Sequence, residues 1–347
     1  MQVTSSYIAE IKAEIIEETY DDGYIHSKII KDGILTEETW YKNGVLHREN
    51  GYASYCNIDD VIKISWKING NWHREDDKPA YFEFYKGKLV KREWLINNKH
   101  HRIGKPACEE YYKNGKLKEL SYYLFGKLHR KNGFACAEYY KNGNFRYTST
   151  QEHGVPCCYN DKPSCVCYYK NGAVKNKRWE IDKDDKFHRS NGKPAYIAYY
   201  KNGRIKFEVY FVNGQRHNDH GPAQKEYYKN GVIRKQMQLK FHKLRASDAY
   251  PAIVERYNNG DIETETYIHN GDIHRNYDLP AVVTYYKGYG LRKKSERWAF
   301  KGKLHRDGDL PAVEEYDENG LLRKQMWYIH GENERLNGLP GIIDFDP

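Results

Sequence analysis

From Trp40 onward the chain alternates short apolar-aromatic runs with glycine-closed polar turns, and it does so on a steady beat. Residues 111–126, YYKNGKLKELSYYLFG, are one beat. Tyr-Tyr ends an extended run, Lys-Asn-Gly turns the chain, and a second run closes on another Tyr-Tyr before Gly126. Asn-Gly and Lys-Asn-Gly supply the positive φ angles that a tight reversal needs, so YYKNG and WYKNG read as strand ends entering turns. Runs such as KLKELSYY and IKFEVYF between the turns are rich in strand formers. After the second glycine come Leu-His-Arg, a polar loop, and Pro-Ala opening the next strand, as in PACEEYY; proline suits a strand's first residue, where no ladder donor is lost. Alternation within that strand places Ala195, Ile197 and Tyr199 on one face, likewise Ala281, Val283 and Tyr285. The other face carries Glu110, Glu138, Glu226 and Glu255 beside tyrosines, so one face is drier than the other.

Two columns fix the period. The first is Trp40, Trp66, Trp94, Tyr122, Thr150, Trp179, Tyr210, Gln238, Tyr267, Trp298 and Trp327, with steps of 26 to 31 residues. The second is Tyr52, Pro79, Pro106, Phe134, Pro163, Pro194, Pro222, Pro251, Pro280, Pro311 and Pro340, in the same phase. Such self-similarity is the mark of a repeat architecture. The expected fold is all-β: an elongated antiparallel meander of about eleven repeats of roughly 28 residues, two strands each. At ~4.8 Å between strands, equivalent residues of successive repeats would lie about 10 Å apart and the sheet would run on the order of 100 Å. Residues 1–39 read as extended capping segments between glycine turns, 40–339 as the repeats, and 340–347 as a C-terminal cap, because terminal strands expose unpaired backbone. Ile-Glu alternation near residues 8–18 also permits a short helix; the hairpin spacing of the turns that follow favours strand.

Composition narrows this picture. A mean hydropathy of −0.96 would ordinarily suggest disorder, but 33 Tyr, 11 Phe and 7 Trp recur at regular intervals and cover a thin layer with wet polar tips. The net charge of +9 is a modest excess of 57 basic over 48 acidic residues. No block of like charge forms a tail. The first residues lack a basic start followed by an apolar core, and no apolar run approaches a membrane span, so an intracellular, cytoplasmic setting is expected. Seven cysteines, odd in number and clustered, do not make a disulfide framework.

The pattern G-K-L-H-R-x-x-G-x-P-A-x-x-x-Y-Y-x-N-G, seen in Gly126-Lys127-Leu128-His129-Arg130, Gly302-Lys303-Leu304-His305-Arg306, Gly221-Pro222-Ala223 and the YYKNG copies, resembles MORN-type repeats over about residues 40–347. It is similar to the divergent variety encoded by large DNA viruses of amoebae, some phages and some bacteria, which would imply host cytoplasm or a virion. The resemblance implies β-hairpin units used for protein assembly and, in some members, a link to anionic phospholipids. This chain departs from the standard pattern in its longer unit and in its His-Arg and Pro-Ala columns.

The candidate chemistry lies in the His-Arg column: His47-Arg48, His73-Arg74, His101-Arg102, His129-Arg130, His188-Arg189, His274-Arg275 and His305-Arg306. Metal ligation is disfavoured, since ligands to one ion must converge and these rows should be about 10 Å apart. One reading has each arginine stacked on the Trp/Tyr column or paired with a glutamate, and each histidine bonded to a loop carbonyl. The other makes Arg48, Arg74, Arg102, Arg130, Arg189, Arg275 and Arg306 a row that docks an anionic partner. Cys157-Cys158 and Cys165-x-Cys167 with His153 have the look of a zinc set. The repeat frame explains them otherwise: Cys157-Cys158 stand in the His-Arg position, and Cys165 shares a column with Cys108 and Cys136. Aromatics interleaved with Lys and Arg suit nucleic-acid stacking, which near-balanced charge disfavours. No P-loop, G-x-S-x-G or HExxH occurs. The expectation is a non-enzymatic scaffold for protein–protein interaction, with no cofactor and no metal. Docking on anionic membrane phospholipids through the His-Arg column is the alternative, and self-association stays open.

Overall fold

The computed structural model describes residues 1–8, 12–182, 184, 186–244 and 247–345. Asp346 and Pro347 of the expected C-terminal cap lie outside the described residues, as does the 9–11 part of the stretch where a helix was the alternative. On either side of that gap the chain is extended, in strands Gln2–Ile8 and Ala13–Thr19. Among the described residues every regular element is a strand, apart from two single 3-10 turns at Tyr159–Asp161 and Leu336–Gly338.

The chain forms two compact units, Met1–Ala173 and Val174–Pro347. The boundary falls within a Lys-Asn-Gly hairpin, inside the repeat array. In the first unit, strands Gln2–Ile8, Ala13–Thr19, Tyr24–Lys31 and Ile34–Lys42 form a meander. Ile34–Lys42 pairs with Ser54–Ile58, and the antiparallel ladder continues strand by strand to Cys165–Tyr168. The leader is therefore continuous with the first repeat, since Trp40 lies on its last strand. The second unit repeats the scheme from Val174–Arg178 to Ile342–Asp344.

Each repeat supplies two sheet strands and a small side hairpin that begins just after the ring column, such as Tyr123–Leu124 with Lys127–Leu128. The two reversals of a repeat are of different kinds. In the YYKNG turns only the glycine is left-handed, as at Gly115 (φ +84°) and Gly143 (φ +95°). The asparagine there accepts a backbone N–H instead, Lys116 N–H to Asn114 Oδ1 at 3.1 Å, and the ladder shifts register between Glu110 and Tyr111, next to the turn. In the side hairpins both central residues are left-handed, as at Asn69 (φ +50°) and Gly70 (φ +78°), the mirror turn that matches strand twist. WYKNG at 40–44 belongs to this second kind, with Asn43 at φ +50°, and so differs from YYKNG despite the shared tripeptide.

An alanine column opens the Pro-Ala strands, and burial there does not follow the expected alternation of faces, since Ala107, Cys108 and Glu109 are buried in succession, as are Ala135, Cys136 and Ala137. Ala53, Ala80, Ala107, Ala135, Ala195, Ala223, Ala252, Ala281 and Ala312 are all buried to 1% exposure or less. All but Ala312 are bonded through both backbone groups, as Ala107 N–H to Ser121 O and Trp94 N–H to Ala107 O, both at 2.8 Å, and Ala312 O accepts from Trp298 N–H at 2.8 Å. A second ladder runs along the YYKNG turns. The hydroxyl of the second tyrosine donates to a carbonyl one repeat on: Tyr112 to Tyr139 O at 2.7 Å, Tyr140 to Tyr168 O at 2.9 Å, Tyr228 to Arg256 O at 2.8 Å and Tyr286 to Tyr316 O at 2.7 Å.

Candidate functional site: the His-Arg column

The His-Arg pair leaves the side hairpin on its returning strand, and its backbone sets where the two side chains go. His101 N–H donates to Trp94 O at 3.0 Å, returning the chain to its own ring-column residue. Arg102 N–H then donates to Tyr123 O of the following side hairpin at 3.1 Å. The same two bonds recur from Arg48 to Arg130 in the first unit. This path drops every arginine back over the ring eight to ten residues before it.

All seven predicted guanidiniums lie over the ring column. The carbon–centroid distances are 4.0 Å for Arg48 on Trp40, 3.8 Å for Arg74 on Trp66, 3.7 Å for Arg102 on Trp94 and 4.0 Å for Arg130 on Tyr122. In the second unit they are 3.7 Å for Arg189 on Trp179, 3.6 Å for Arg275 on Tyr267 and 3.8 Å for Arg306 on Trp298. An eighth pair, Arg335 on Trp327 at 4.0 Å, was hidden because its residue 334 is Glu in place of His. One Nη1 donor of each predicted arginine reaches the carbonyl of the second column, for example Arg74 to Pro79 O at 3.0 Å and Arg189 to Pro194 O at 3.0 Å. The arginines are thus separate members of successive rungs.

Three stacks are clamped by an aspartate of the preceding repeat. Asp278 accepts the Trp298 indole N–H on its carbonyl at 3.0 Å and binds Arg306 through both carboxylate oxygens at 2.8 Å each. Asp77 does the same for Trp94 and Arg102, and Asp309 for Trp327 and Arg335. All three stand two residues before the column proline with left-handed φ of 50° to 55°, a conformation aspartate tolerates. The Arg102 and Lys105 cations hold the Asp77 carboxyl down, to about 2. The expected glutamate partner is thus an aspartate; Glu109 Oε1 stands 3.9 Å from Arg102.

The histidines mostly accept an amide N–H, where a bond to a loop carbonyl was expected. Phe125 N–H donates to His101 Nδ1 at 3.3 Å, His153 N–H to His129 Nδ1 at 3.2 Å, and Asn213 N–H to His188 Nδ1 at 3.2 Å. Only an unprotonated Nδ1 can accept, so the proton sits on Nε2. That nitrogen faces a carboxylate two residues on in His217 (Asp219, 3.1 Å) and His305 (Asp307, 3.1 Å). His274 alone of the predicted set keeps the carbonyl bond, Nδ1 to Ala299 O at 2.9 Å.

Between successive His-Arg loops the surface forms shallow open grooves. One of about 710 Å³ is lined by Arg48, Glu49, Tyr52, Trp66, Arg74 and Glu75; another of about 380 Å³ lies between Arg275, Asp278, Phe300 and Arg306. Both mix charges of either sign with ring edges. Cys157 occupies the histidine's place as expected, its N–H bonded to Thr150 O at 3.0 Å. Cys108, Cys136 and Cys165 form one column through Ser121 and Ser149, and all three are buried.

A sequence profile described as a MORN repeat variant matches residues 107–125 and 223–240. Each match begins on a column alanine, Ala107 or Ala223, and passes through the YYKNG turn into the side hairpin. The chain therefore carries MORN-variant repeats, one matched in each compact unit. No curated protein matches the chain.

Proposed function

We propose, from the premise of MORN-variant repeats, that the protein is a non-enzymatic scaffold on which protein partners assemble. The observation that carries this reading is the repetition of one shallow, mixed-charge groove between successive His-Arg loops, about 710 Å³ at Arg48–Arg74 and about 380 Å³ at Arg275–Arg306. An enzyme concentrates its chemistry in one constellation, whereas a repeated surface recognises a macromolecule through extended area. The arginines contribute to this surface by their edges, since their faces cover rings. Docking on anionic phospholipid through the same row gains no comparable support: Arg102 and Arg306 side chains are 13% and 14% exposed and ion-paired.

The test is affinity capture with the full chain against a Glu49→Lys/Glu75→Lys variant. Those two groove-rim carboxylates are 65% and 79% exposed, so the variant should fold normally. A protein partner retained by the native chain and lost by the variant supports the reading. Loss only on charge reversal of the exposed turn lysines Lys113, Lys141 and Lys170 would move the interface to the opposite edge of the repeat. A turnover abolished by a single substitution would overturn the scaffold itself.

A further inference from the structure

We infer that Glu93, His100 and Cys108 form a binding site for a zinc-class divalent cation. Their ligand atoms lie within 4.8 Å of one another, the one such grouping of three His, Cys or acidic donors among the described residues. His100 Nε2 is 2.7 Å from Glu93 Oε1, and Cys108 Sγ is 3.9 Å from the same oxygen. A tetrahedral ion with bonds of ~2.0–2.1 Å to N and O and ~2.3 Å to S sets these separations at about 3.3 and 3.6 Å. An ion is accommodated by opening the first gap about 0.6 Å and closing the second about 0.3 Å, with the His100–Cys108 pair, within 4.8 Å, settling at about 3.6 Å. Thiolate, imidazole and carboxylate together suit a borderline cation such as zinc.

The repeat frame gives an independent argument. Glu93 occupies a column filled elsewhere by residues such as Ser65, Ser121 and Val209, with no other acid. His100 stands where the pattern has Leu46, Leu128 or Leu304, with no other histidine. The repeat departs from its own pattern at two columns at once, and both departures face the Cys108 thiol. The Tyr123 ring stacks on His100 at 4.9 Å and holds the imidazole in place. Three protein ligands leave a fourth position for water, and the part-exposed His100 side chain (30%) gives the ion a way in.

Lys91 is the competitor. Its Nζ lies 3.0 Å from Glu93 Oε1, with Glu110 as an alternative partner at 3.6 Å. When the ion enters, Lys91 turns to Glu110, the Cys108 proton leaves to solvent, and the His100 proton moves from Nε2 to Nδ1.

The experiment is titration of the metal-stripped full chain with cobalt(II) chloride, read by the thiolate-to-cobalt charge-transfer band, followed by displacement with zinc(II). The expected result is one ion per chain, with the band lost in Cys108→Ser and His100→Leu and kept in Cys157→Ser/Cys158→Ser. His100→Leu restores the residue its column carries elsewhere, so its melting should match the native chain and its loss of binding is not a folding defect. Lys91→Met should tighten binding by about tenfold or more, the scale of neighbouring-residue effects on metal affinity. No binding of either ion, or a band that survives His100→Leu, overturns the site.

Discussion

Replacing Arg306 with methionine tests the clamped stack directly. Methionine keeps an apolar stem over Trp298 but removes the cation, the two bonds to Asp278 at 2.8 Å and the bond to Pro311 O at 3.3 Å. A largely desolvated cation over an indole contributes about 1–2 kcal/mol. The Asp278 pair, with its carboxylate 52% exposed, is limited to about 0.5–1 kcal/mol, and the carbonyl bond adds about 1 kcal/mol. The expected loss is roughly 2.5–4 kcal/mol, with Arg306→Lys intermediate because it keeps the charge and loses the planar fork. A repeat chain does not unfold in one step, so the readout should be local. Amide exchange suits this, at Trp298 (bonded to Ala312 O), His305 (to Trp298 O) and Gly331 (to Leu304 O). Even a 2 kcal/mol loss speeds exchange about 30-fold. Asp278→Asn, which tolerates the same left-handed backbone, should accelerate the same amides by only about 3- to 5-fold, in keeping with an exposed pair. If Arg306→Met changes these rates by less than about twofold, the arginine is not holding the rung, and it becomes available to a partner as a free cation.

Gly143→Val should lower the melting temperature, by about 1–3 kcal/mol of local stability, although open space surrounds the position. The cost is conformational, since φ there is +95°; an unchanged melt would disprove the turn. Tyr112→Phe removes the 2.7 Å bond to Tyr139 O and should cost about 1 kcal/mol, read as faster exchange around residues 139–144. Ala107→Leu should cost about 1–3 kcal/mol by overpacking a fully buried column, checked by urea denaturation; a neutral result would mean the column has slack. Acid should loosen the Asp77 clamp: its carboxyl titrates near 2 in the folded chain and near 3.8 unfolded, so its contribution is complete above about pH 4 and lost as pH falls toward 2. At 46% exposure that contribution is about 1 kcal/mol or less, and Asp77→Asn should erase this part of the acid limb.

The period, the all-β class, the two-strand unit and the stacking of arginine on the ring column were legible because each depends on residues spaced within one repeat. What escaped depends on partners one repeat away or on conformation. Asp77, Asp278 and Asp309 all stand two residues before a column proline, a signal that was present, but their partners lie 25 to 28 residues on and only folding reveals them. Lys-Asn-Gly spells two different reversals at 42–44 and 113–115, because the number of residues closing the hairpin, not the tripeptide, decides whether asparagine is left-handed. The histidine partner was misread as a carbonyl because sequence carries no record of the tautomer. Glu93 and His100 each stand out from their repeat columns, but their meeting with Cys108 emerges only when the ring hairpin folds back beside two sheet strands.

The tyrosine ladder has a consequence for how such a gene can change. The hydroxyls of Tyr112, Tyr140, Tyr200, Tyr228, Tyr257 and Tyr286 each reach a carbonyl 27 to 30 residues on, so the message is passed to the next copy. Excising one whole copy, from one second tyrosine to the next, gives Tyr112 a new acceptor of the same kind in the same place. Duplicating one does likewise. Copy number is therefore a nearly neutral variable for this fold, open to unequal recombination, and the steps of 26 to 31 residues between ring-column positions show that the loops inside a copy absorb small changes of length as well.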